Sequence, residues 1–260
     1  MTAESAWRVI PPLEASGAEQ MAIDRWLWEQ HRKGNQPPCL RFYTWSPAAI
    51  SLGYHQKRYP DSWNKLSWND RPVSLVRRPT GGRAVLHQGD LTYAVVRSTT
   101  SSNRVAAYQH ICQFLIDGWR SLGFSLHYGS AGRGYAKIAN CFATATGADL
   151  VLDSGYKLIG SAQAWHGSTV LQHGSMRLNP DRQLWNQVFS DTDYFPTTER
   201  SPFTHLTHSE IIASLTKAAC QTFNTTVAIE PLSEAEWQKI GLLLPKSQED
   251  KAIRSNPSFG

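Results

Sequence analysis

The sequence predicts an α+β fold built on antiparallel strands. Its hydrophobic patterns place one helix first, then several short strands, a second helix, more strands and further helices. Short turns join successive strands, and strands joined in this way pair antiparallel, because parallel strands need a long crossover. Apolar residues make up 41% of the chain and charged residues 18%, which is typical of a folded protein with a packed core.

The length of 260 residues fits one domain. We expect residues 1–245 to form a single domain, with 190–245 as a candidate for a small C-terminal annex and 246–260 as a flexible tail. No apolar run is long enough for a membrane span, so no membrane partner is predicted. The N-terminal residues are charged and lack the apolar core of a secretory signal, so we expect a cytoplasmic protein.

Charge and cysteine content exclude several classes of protein. The net charge of +5 favours acidic partners, but the basic residues are dispersed, so no nucleic-acid partner is predicted. The cysteines are Cys39, Cys112, Cys141 and Cys220. No two of them form a C-x-x-C pair, so no metal site is predicted. Cys112 falls on the apolar face of a helix and is expected in the core.

Apolar faces and end signals predict five helices. Capping boxes begin three of them, formed by Ser16 with Glu19, Thr207 with Glu210, and Ser233 with Glu236. The predicted helices cover residues 16 to about 32, 103 to 122, 180–189, 207–223, and 233 until Pro245 ends the last.

Alternating or continuous apolar residues between turn signals predict the strands. They are expected at 40–45, 49–52, 73–76, 84–87, 91–96, 148–153, 156–165, 169–178 and 226–229. The pair Ser154-Gly155 predicts a hairpin between the strands at 148–153 and 156–165.

A first candidate for chemistry is the run from Arg77 to His87, which reads RRPTGGRAVLH. The adjacent glycines Gly81 and Gly82 let backbone N–H groups approach a ligand, and three arginines supply fixed positive charge. Such a loop suits a phosphate or a phosphate-bearing arm. An ordinary hairpin turn with solvated arginines explains the same residues.

A second candidate is KLIGSAQ, which begins at Lys157. As a regular strand it places Lys157, Ile159, Ser161 and Gln163 on one face. The other face carries Leu158, Gly160 and Ala162, and the small residues there leave room for a ligand. A lysine there can stabilise negative charge, although a solvent-exposed lysine at a hairpin end is the simpler interpretation. His87 and His173 lie at strand ends near glycine and fit structural histidines as well as catalytic ones.

The third candidate is ANCF, in which Cys141 follows a glycine-rich loop. A thiol on a loop can be reached by substrate, and its thiolate is the reactive form. Cys141 precedes Lys157 by 16 residues (157 − 141), and spacing alone does not show whether the two meet. A buried loop cysteine remains the alternative.

Taken together, these motifs resemble a known superfamily. The run RRPTGGRAVLHQGDLTYAVV at 77–96, the segment from Tyr156 to Met176, and SLGYHQ at 51–56 resemble, in order and spacing, the signature of lipoate and biotin ligases. Within that superfamily the chain is most similar to lipoate-ligase-like octanoyltransferases, which keep a cysteine before the lysine strand. The resemblance implies a mixed, largely antiparallel sheet flanked by helices, like the catalytic domains of class II synthetases and biotin ligases.

The resemblance also implies an activity. Cys141 and Lys157 become the catalytic residues, with Cys141 as the acyl acceptor. The implied substrate-binding residues are Arg78, Gly81, Gly82, His87, Ser161 and His173. An octanoyl group moves from acyl carrier protein to Cys141 and then to a lysine of a lipoyl domain or of the glycine cleavage H protein. The donor is already a thioester, so no cofactor is expected.

Three alternatives stay open at this stage. An ATP-dependent lipoate–protein ligase needs ATP and Mg²⁺ and makes Cys141 incidental. An amidotransferase takes its acyl group from the H protein. A non-enzyme member only binds acylated carrier domains.

Overall fold

Three sheets and five α-helices make up the part of the chain that the computed structural model describes, residues 6–129, 149–189 and 201–245. The helices are α1 (Gly17–Arg32), α2 (Arg104–Ser121), α3 (Arg182–Val188), α4 (His208–Thr222) and α5 (Glu234–Gly241), and a 3₁₀ turn covers Asp61–Lys65. The strands are β1 (Trp7–Ala15), β2 (Cys39–Trp45), β3 (Ala49–Leu52), β4 (Ser67–Trp68), β5 (Arg71–Pro72), β6 (Ser74–Arg77), β7 (Val85–His87), β8 (Asp90–Ser98), β9 (Leu126–Tyr128), β10 (Asp149–Leu152), β11 (Lys157–His166), β12 (Thr169–Arg177) and β13 (Val227–Ile229).

The main sheet has eight strands in the order β13-β1-β2-β8-β12-β11-β10-β9. Pairing is antiparallel from β2 to β9 and parallel on both sides of β1. This confirms the α+β fold with a mixed, largely antiparallel sheet. A small second sheet, β6-β3-β7, packs beside it and carries both ends of the RRPTGGRAVLH run.

Strand β1 is the one long strand that the sequence analysis did not predict. It contains Pro11 and Pro12, which cannot donate backbone hydrogen bonds and usually argue against a strand. The pairing of β1 with β2 shifts register between Ile10 and Leu13, so the sheet passes over the two prolines without needing their N–H groups.

Helices cover both faces of the main sheet. On one face α2 and α4 pack over an apolar cluster that includes Phe114, Trp119 and Leu215. Cys112 is fully buried in this cluster, as predicted. The other face is covered by α1, against which α5 packs. Within the described ranges, none of the helices has the length and apolar character of a membrane span.

The three predicted capping boxes are confirmed. The side chain of the N-cap residue accepts a backbone hydrogen bond in each, and the glutamate three positions later accepts one in return. The predicted hairpin is also confirmed: β10 and β11 pair antiparallel, and Gly155 has a φ of 82° in the turn.

Candidate active site

A cleft with a volume of about 190 Å³ crosses the main sheet. One row of residues, paired strand to strand, runs along it: Tyr43 beside Thr92, then Ser175, Gly160 and Asp149. Neighbouring strands lie about 4.8 Å apart, so the four steps of this row span roughly 19 Å. The three middle residues are small, which leaves room for an elongated ligand above them.

The cleft collects the residues that the sequence analysis assigned to substrate. Arg78, Gly81, Gly82, His87, Ser161 and His173 all line it, although they come from the small sheet, its glycine loop, β11 and β12. The tertiary structure therefore brings the first two motifs together. Cys141 lies outside the described residues.

One end of the cleft is apolar. Met21 of α1 meets Tyr43 and Trp45 of β2 in a single buried cluster, and all three line the cleft. The Trp45 ring stacks on His87 with centroids 3.8 Å apart, and its Nε1–H donates to Thr92 Oγ1 at 2.8 Å. The Trp45 N–H and the Tyr43 hydroxyl are both hydrogen-bonded to protein groups, so their rings offer an apolar surface at this end.

The opposite end carries a buried ion pair. Lys157 Nζ lies 2.9 Å from Asp149 Oδ2, and the two side chains are 4% and 6% exposed. The alternative of a solvent-exposed lysine is therefore wrong. Asp149 lines the cleft directly, and Lys157 adjoins the cleft through it.

A bulge explains how Lys157 reaches this side of the sheet. The register of β11 against β10 shifts between Ile159 and Lys157, leaving Leu158 as an extra residue. Leu158 and Ile159 both join the apolar cluster under α2, whereas Lys157 meets Asp149. The prediction that Lys157 shares a face with Ile159 and Ser161 is therefore wrong, because the bulge interrupts the alternation between Lys157 and Ile159.

His87 is held between a carboxylate and a hydroxyl. Its Nδ1 lies 2.8 Å from Asp90 Oδ2 and its Nε2 lies 2.8 Å from Ser51 Oγ. Burial lowers the pKa of His87, and the nearby Asp90 carboxylate opposes that effect. The neutral ring thus donates from Nδ1 to Asp90 and accepts at Nε2 from Ser51.

His173 has the same two kinds of partner as His87, a carboxylate and a hydroxyl. Its Nδ1 lies 2.8 Å from Asp24 Oδ2, and its Nε2 lies 2.6 Å from Thr80 Oγ1. Asp24 is fully buried and also accepts from Tyr43 Oη at 2.8 Å and from Arg41 Nη1 at 3.1 Å. These bonds tie α1, β2 and β12 to the loop residue Thr80.

Arginines of the RRPTGGR run brace the loop from within. Arg78 donates to the carbonyl oxygens of Ser51 at 2.8 Å, Gly81 at 2.7 Å and Arg83 at 2.6 Å. Arg77 donates to the carbonyl of Gly53 at 2.8 Å. The sequence left open whether this positive charge serves a phosphate-bearing ligand or is solvated. In the structure the guanidinium groups of Arg77 and Arg78 bind the protein's own carbonyls and shape the turn.

Ser161 connects the cleft to the core under α2. Its hydroxyl shares a 2.8 Å hydrogen bond with Tyr93, which in turn accepts from Gln172 Nε2 at 2.8 Å. Gln163, which also lines the cleft, donates to Gln172 Oε1 at 2.8 Å. This wall is therefore rigid and polar.

The cysteines within the described ranges are poorly suited to nucleophilic chemistry. Burial raises the pKa of both Cys39 and Cys112 to about 12, so neither carries much thiolate near neutral pH. Cys220 is half-buried on α4, and burial raises its pKa as well. None of the three lines the cleft.

The carboxylates that bind His87, His173 and Lys157 were not predicted from the sequence. Asp90 follows His87 by three positions, a spacing that could have suggested contact within the β7–β8 turn. Asp24 carried no comparable signal, because its partner His173 is 149 residues away. Asp149 precedes Lys157 by eight residues (157 − 149) in the predicted hairpin, but the bulge at Leu158 that turns Lys157 toward it was not predicted. The described residues contain no cluster of three or more His, Cys, Asp and Glu side chains able to hold a metal ion.

Comparison with known proteins places this geometry in context. A family model described as the lipoyl protein ligase A/B catalytic domain matches residues 16–222. A protein of Brevibacillus brevis named octanoyltransferase LipM is 38% identical over 68% of this chain and 68% of its own length. A protein of the same name from Kyrpidia tusciae is 32% identical over 92% of this chain and 88% of its own length.

Among solved structures, a lipoate-protein ligase A determined with ATP bound superimposes with a TM-score of 0.74. It is 21% identical, and the match covers 93% of this chain and 95% of that one. At this identity the likeness is one of fold.

Proposed function

Because the chain belongs to the lipoyl protein ligase A/B catalytic domain family, we propose that it is an octanoyltransferase of protein lipoylation. It takes an octanoyl group from a thioester donor and passes it to a lysine side chain on a lipoyl domain. The relatives that share 32–38% of its sequence carry the name octanoyltransferase LipM, which supports this activity.

The observation that carries the proposal is the polarity of the cleft. Met21, Tyr43 and Trp45 make one end apolar, and the Asp149–Lys157 pair makes the other end charged. A medium-length acyl group has the same polarity, with a hydrocarbon tail and a reactive carbonyl. An extended octanoyl chain is about 9 Å long, given carbon–carbon bonds of about 1.5 Å, and is shorter than the row across the sheet.

The first step of the reaction is acyl capture. The Cys141 thiolate attacks the carbonyl carbon of the donor thioester and forms a new carbon–sulfur bond. The bond from that carbon to the donor's sulfur breaks, and the donor leaves as a thiolate that takes a proton from solvent. The donor we propose is octanoyl-acyl carrier protein, and the H protein is the alternative donor. The burial of Cys39 and Cys112 and their raised pKa values support Cys141 as the nucleophile.

The second step is acyl delivery. The neutral amine of the acceptor lysine attacks the Cys141 thioester, an amide bond forms, and the sulfur recovers a proton as the free thiol. The acceptors we propose are lipoyl domains of 2-oxoacid dehydrogenases and the glycine cleavage H protein. The net charge of +5 suits acidic carrier partners.

Lys157 serves both steps. Each attack turns the acyl carbonyl oxygen into an oxyanion, and an ammonium held at the charged end of the cleft stabilises it. Removing a single donor of this kind typically costs about 100- to 1,000-fold in rate. The donor and the acylated Cys141 are both thioesters, so the acyl group is already activated before the amide forms. The reaction therefore consumes no ATP and needs no cofactor or metal.

A free thiol nucleophile also suits a reducing, cytoplasmic location.

The test is an intact mass measurement after incubation with octanoyl-acyl carrier protein. Wild-type protein is expected to gain the mass of one octanoyl group, and Cys141→Ser is expected to gain none and to lose transfer to a lipoyl domain. Cys220→Ser is the matched control, because Cys220 is half-buried outside the cleft, and it should acylate like wild type.

Two outcomes would contradict the proposal. One is wild-type protein that stays unmodified and transfers nothing. The other is a Cys141→Ser variant that lipoylates a lipoyl domain at full rate from ATP and free lipoate, which would establish the ATP-dependent ligase.

A further inference from the structure

Lys157 forms a buried ion pair with a carboxylate on the neighbouring strand. A buried ammonium needs an anionic partner, since transfer out of water is costly for an unpaired charge. Asp149 supplies that partner, with Oδ2 at 2.9 Å from Nζ. It stands at the start of β10, on the strand next to Lys157, and it lines the cleft itself.

The surroundings of Asp149 keep the pair at the edge of the cleft. Asp149 faces Gly160 across the β10–β11 ladder, and Gly160 faces Ser175 on the next strand. Gly160 has no side chain to separate the carboxylate from the cleft. On the other side, the bulge at Leu158 turns Lys157 toward Asp149 rather than into the apolar cluster.

A lysine side chain is otherwise poorly fixed. Its four-carbon stem is flexible and its ammonium has no preferred direction of hydrogen bonding. An interaction that stabilises a transition state requires a donor that is already in place when the charge develops. The carboxylate on the neighbouring strand gives the ammonium that fixed place.

We propose that Asp149 is a positioning residue for acyl transfer, which holds the Lys157 ammonium where the acyl carbonyl oxygen becomes negatively charged. This inference rests on the proposed function, because Asp149 acts only through Lys157. Asp149 itself neither bonds to the acyl group nor exchanges a proton with it.

Two substitutions separate charge from shape. Asp149→Asn keeps the size of the side chain and removes its charge. Asp149→Glu keeps the charge and displaces it by one methylene. Asp153→Asn is the matched control, because Asp153 belongs to the same hairpin and its exposed carboxylate lies 3.5 Å from His127, away from the cleft.

Steady-state transfer of octanoyl from acyl carrier protein to a lipoyl domain gives the readout, with circular dichroism to verify folding. Asp149→Asn is expected to lower kcat by about 10- to 100-fold while KM for the donor stays within about threefold. Asp149→Glu is expected to recover part of the loss, and Asp153→Asn to behave as wild type. Asp149→Asn at the wild-type kcat would overturn the inference, as would an Asp149→Glu variant that is slower than Asp149→Asn.

A double-mutant cycle tests whether Asp149 acts through Lys157. Lys157→Met alone should lose most of the activity, and Lys157→Met combined with Asp149→Asn should be no slower than Lys157→Met. The double variant removes both buried charges, so it is expected to fold at least as well as either single variant. A further loss of tenfold or more in the double variant would show an independent role for Asp149.

The cycle also separates this inference from the proposed function. If wild-type protein transfers octanoyl groups but the cycle is additive, the role of Asp149 is wrong and the proposed function stands. If wild-type protein transfers nothing under the same conditions, the proposed function itself is wrong.

Discussion

At the scale of single residues, two buried histidines line the cleft. His87 and His173 each bond to a carboxylate through Nδ1 and to a hydroxyl through Nε2. Both ring nitrogens of each histidine therefore have protein partners. The two rings therefore fix the walls of the site, in keeping with the structural interpretation that the sequence left open.

Thiol reactivity gives a prediction at the same scale. Burial raises the pKa of Cys39 and Cys112 to about 12, so their thiolate fractions are very small at pH 7.5 and rise only as pH approaches 12. In native protein at pH 7.5, iodoacetamide should leave both unmodified for hours, as followed by peptide mass spectrometry.

The same reagent in denaturant is the control, and it should label both cysteines quickly. Native labelling of Cys39 or Cys112 at the rate of a free thiol would contradict the burial described here.

At the scale of elements, the glycine loop is built by contacts that the sequence did not reveal. The loop after β3 packs directly on the RRPTGGR turn, and Tyr54 N–H donates to the Thr80 carbonyl at 2.8 Å. A Cβ atom on Gly53 would overlap the backbone of Gly82, whereas a Cβ atom on Gly81 would meet nothing within 4 Å. The tight packing is therefore at Gly53 in the SLGYHQ segment, outside the RRPTGGR turn itself.

Gly53→Ala is accordingly expected to destabilise the protein by about 1–3 kcal/mol, because the turn must move to make room. The turn lines the cleft, so KM for the acyl donor should rise as well. Gly81→Ala is the matched control, and its stability should stay within about 0.5 kcal/mol of wild type. Urea denaturation measures the free energy of unfolding of both variants. Equal losses in the two variants would contradict the tight packing at Gly53.

Element boundaries show what local sequence can predict. Ser16, Thr207 and Ser233 begin helices because a capping box satisfies the first backbone N–H groups with nearby side chains. The β4–β5 hairpin was missed although Asn69 and Asp70 both take positive φ, of 48° and 59°, as two-residue hairpin turns require. Its strands have two residues each, too few to show alternation.

At the scale of the whole molecule, the C-terminal elements β13 and α5 contact the N-terminal strand β1. β13 pairs with β1, and Arg8 of β1 donates to both oxygens of Glu236 on α5, at 2.7 and 2.8 Å. The same Glu236 caps its own helix by accepting from the Ser233 N–H. The hydrogen bond from Arg8 is the main cause that lowers the pKa of Glu236 to about 2.

This lowered pKa gives a pH-dependent prediction. The stabilisation from Glu236 is fully present above its unfolded-state pKa of about 4.3 and is lost as pH falls toward 2. Glu236→Gln should therefore lower the free energy of unfolding by about 1.5–3 kcal/mol at pH 7, as expected for a charged hydrogen bond. The difference from wild type should shrink at pH 3.5, measured by urea denaturation at both pH values.

Glu230→Gln is the control for this measurement. Its carboxylate lies 3.9 Å from Arg8 Nε and is 62% exposed, so its removal should have little effect at either pH. A Glu236→Gln effect of the same size at pH 7 and pH 3.5 would rule out the ionic contribution.

The sequence by itself determined the local features of this protein: the helix starts, most strands, the hairpin at Gly155 and the residues of the glycine loop. These depend on alternation, capping and turn chemistry within a few residues, which a single sequence displays. Only the tertiary structure decided that Asp24 meets His173, that Asp149 meets Lys157, and that a bulge at Leu158 turns Lys157 to the cleft. Asp24 and His173 are 149 residues apart, so only the packing of α1 on the sheet joins them. Asp149 and Lys157 lie in one hairpin, but their contact depends on a break in strand alternation that no local pattern shows.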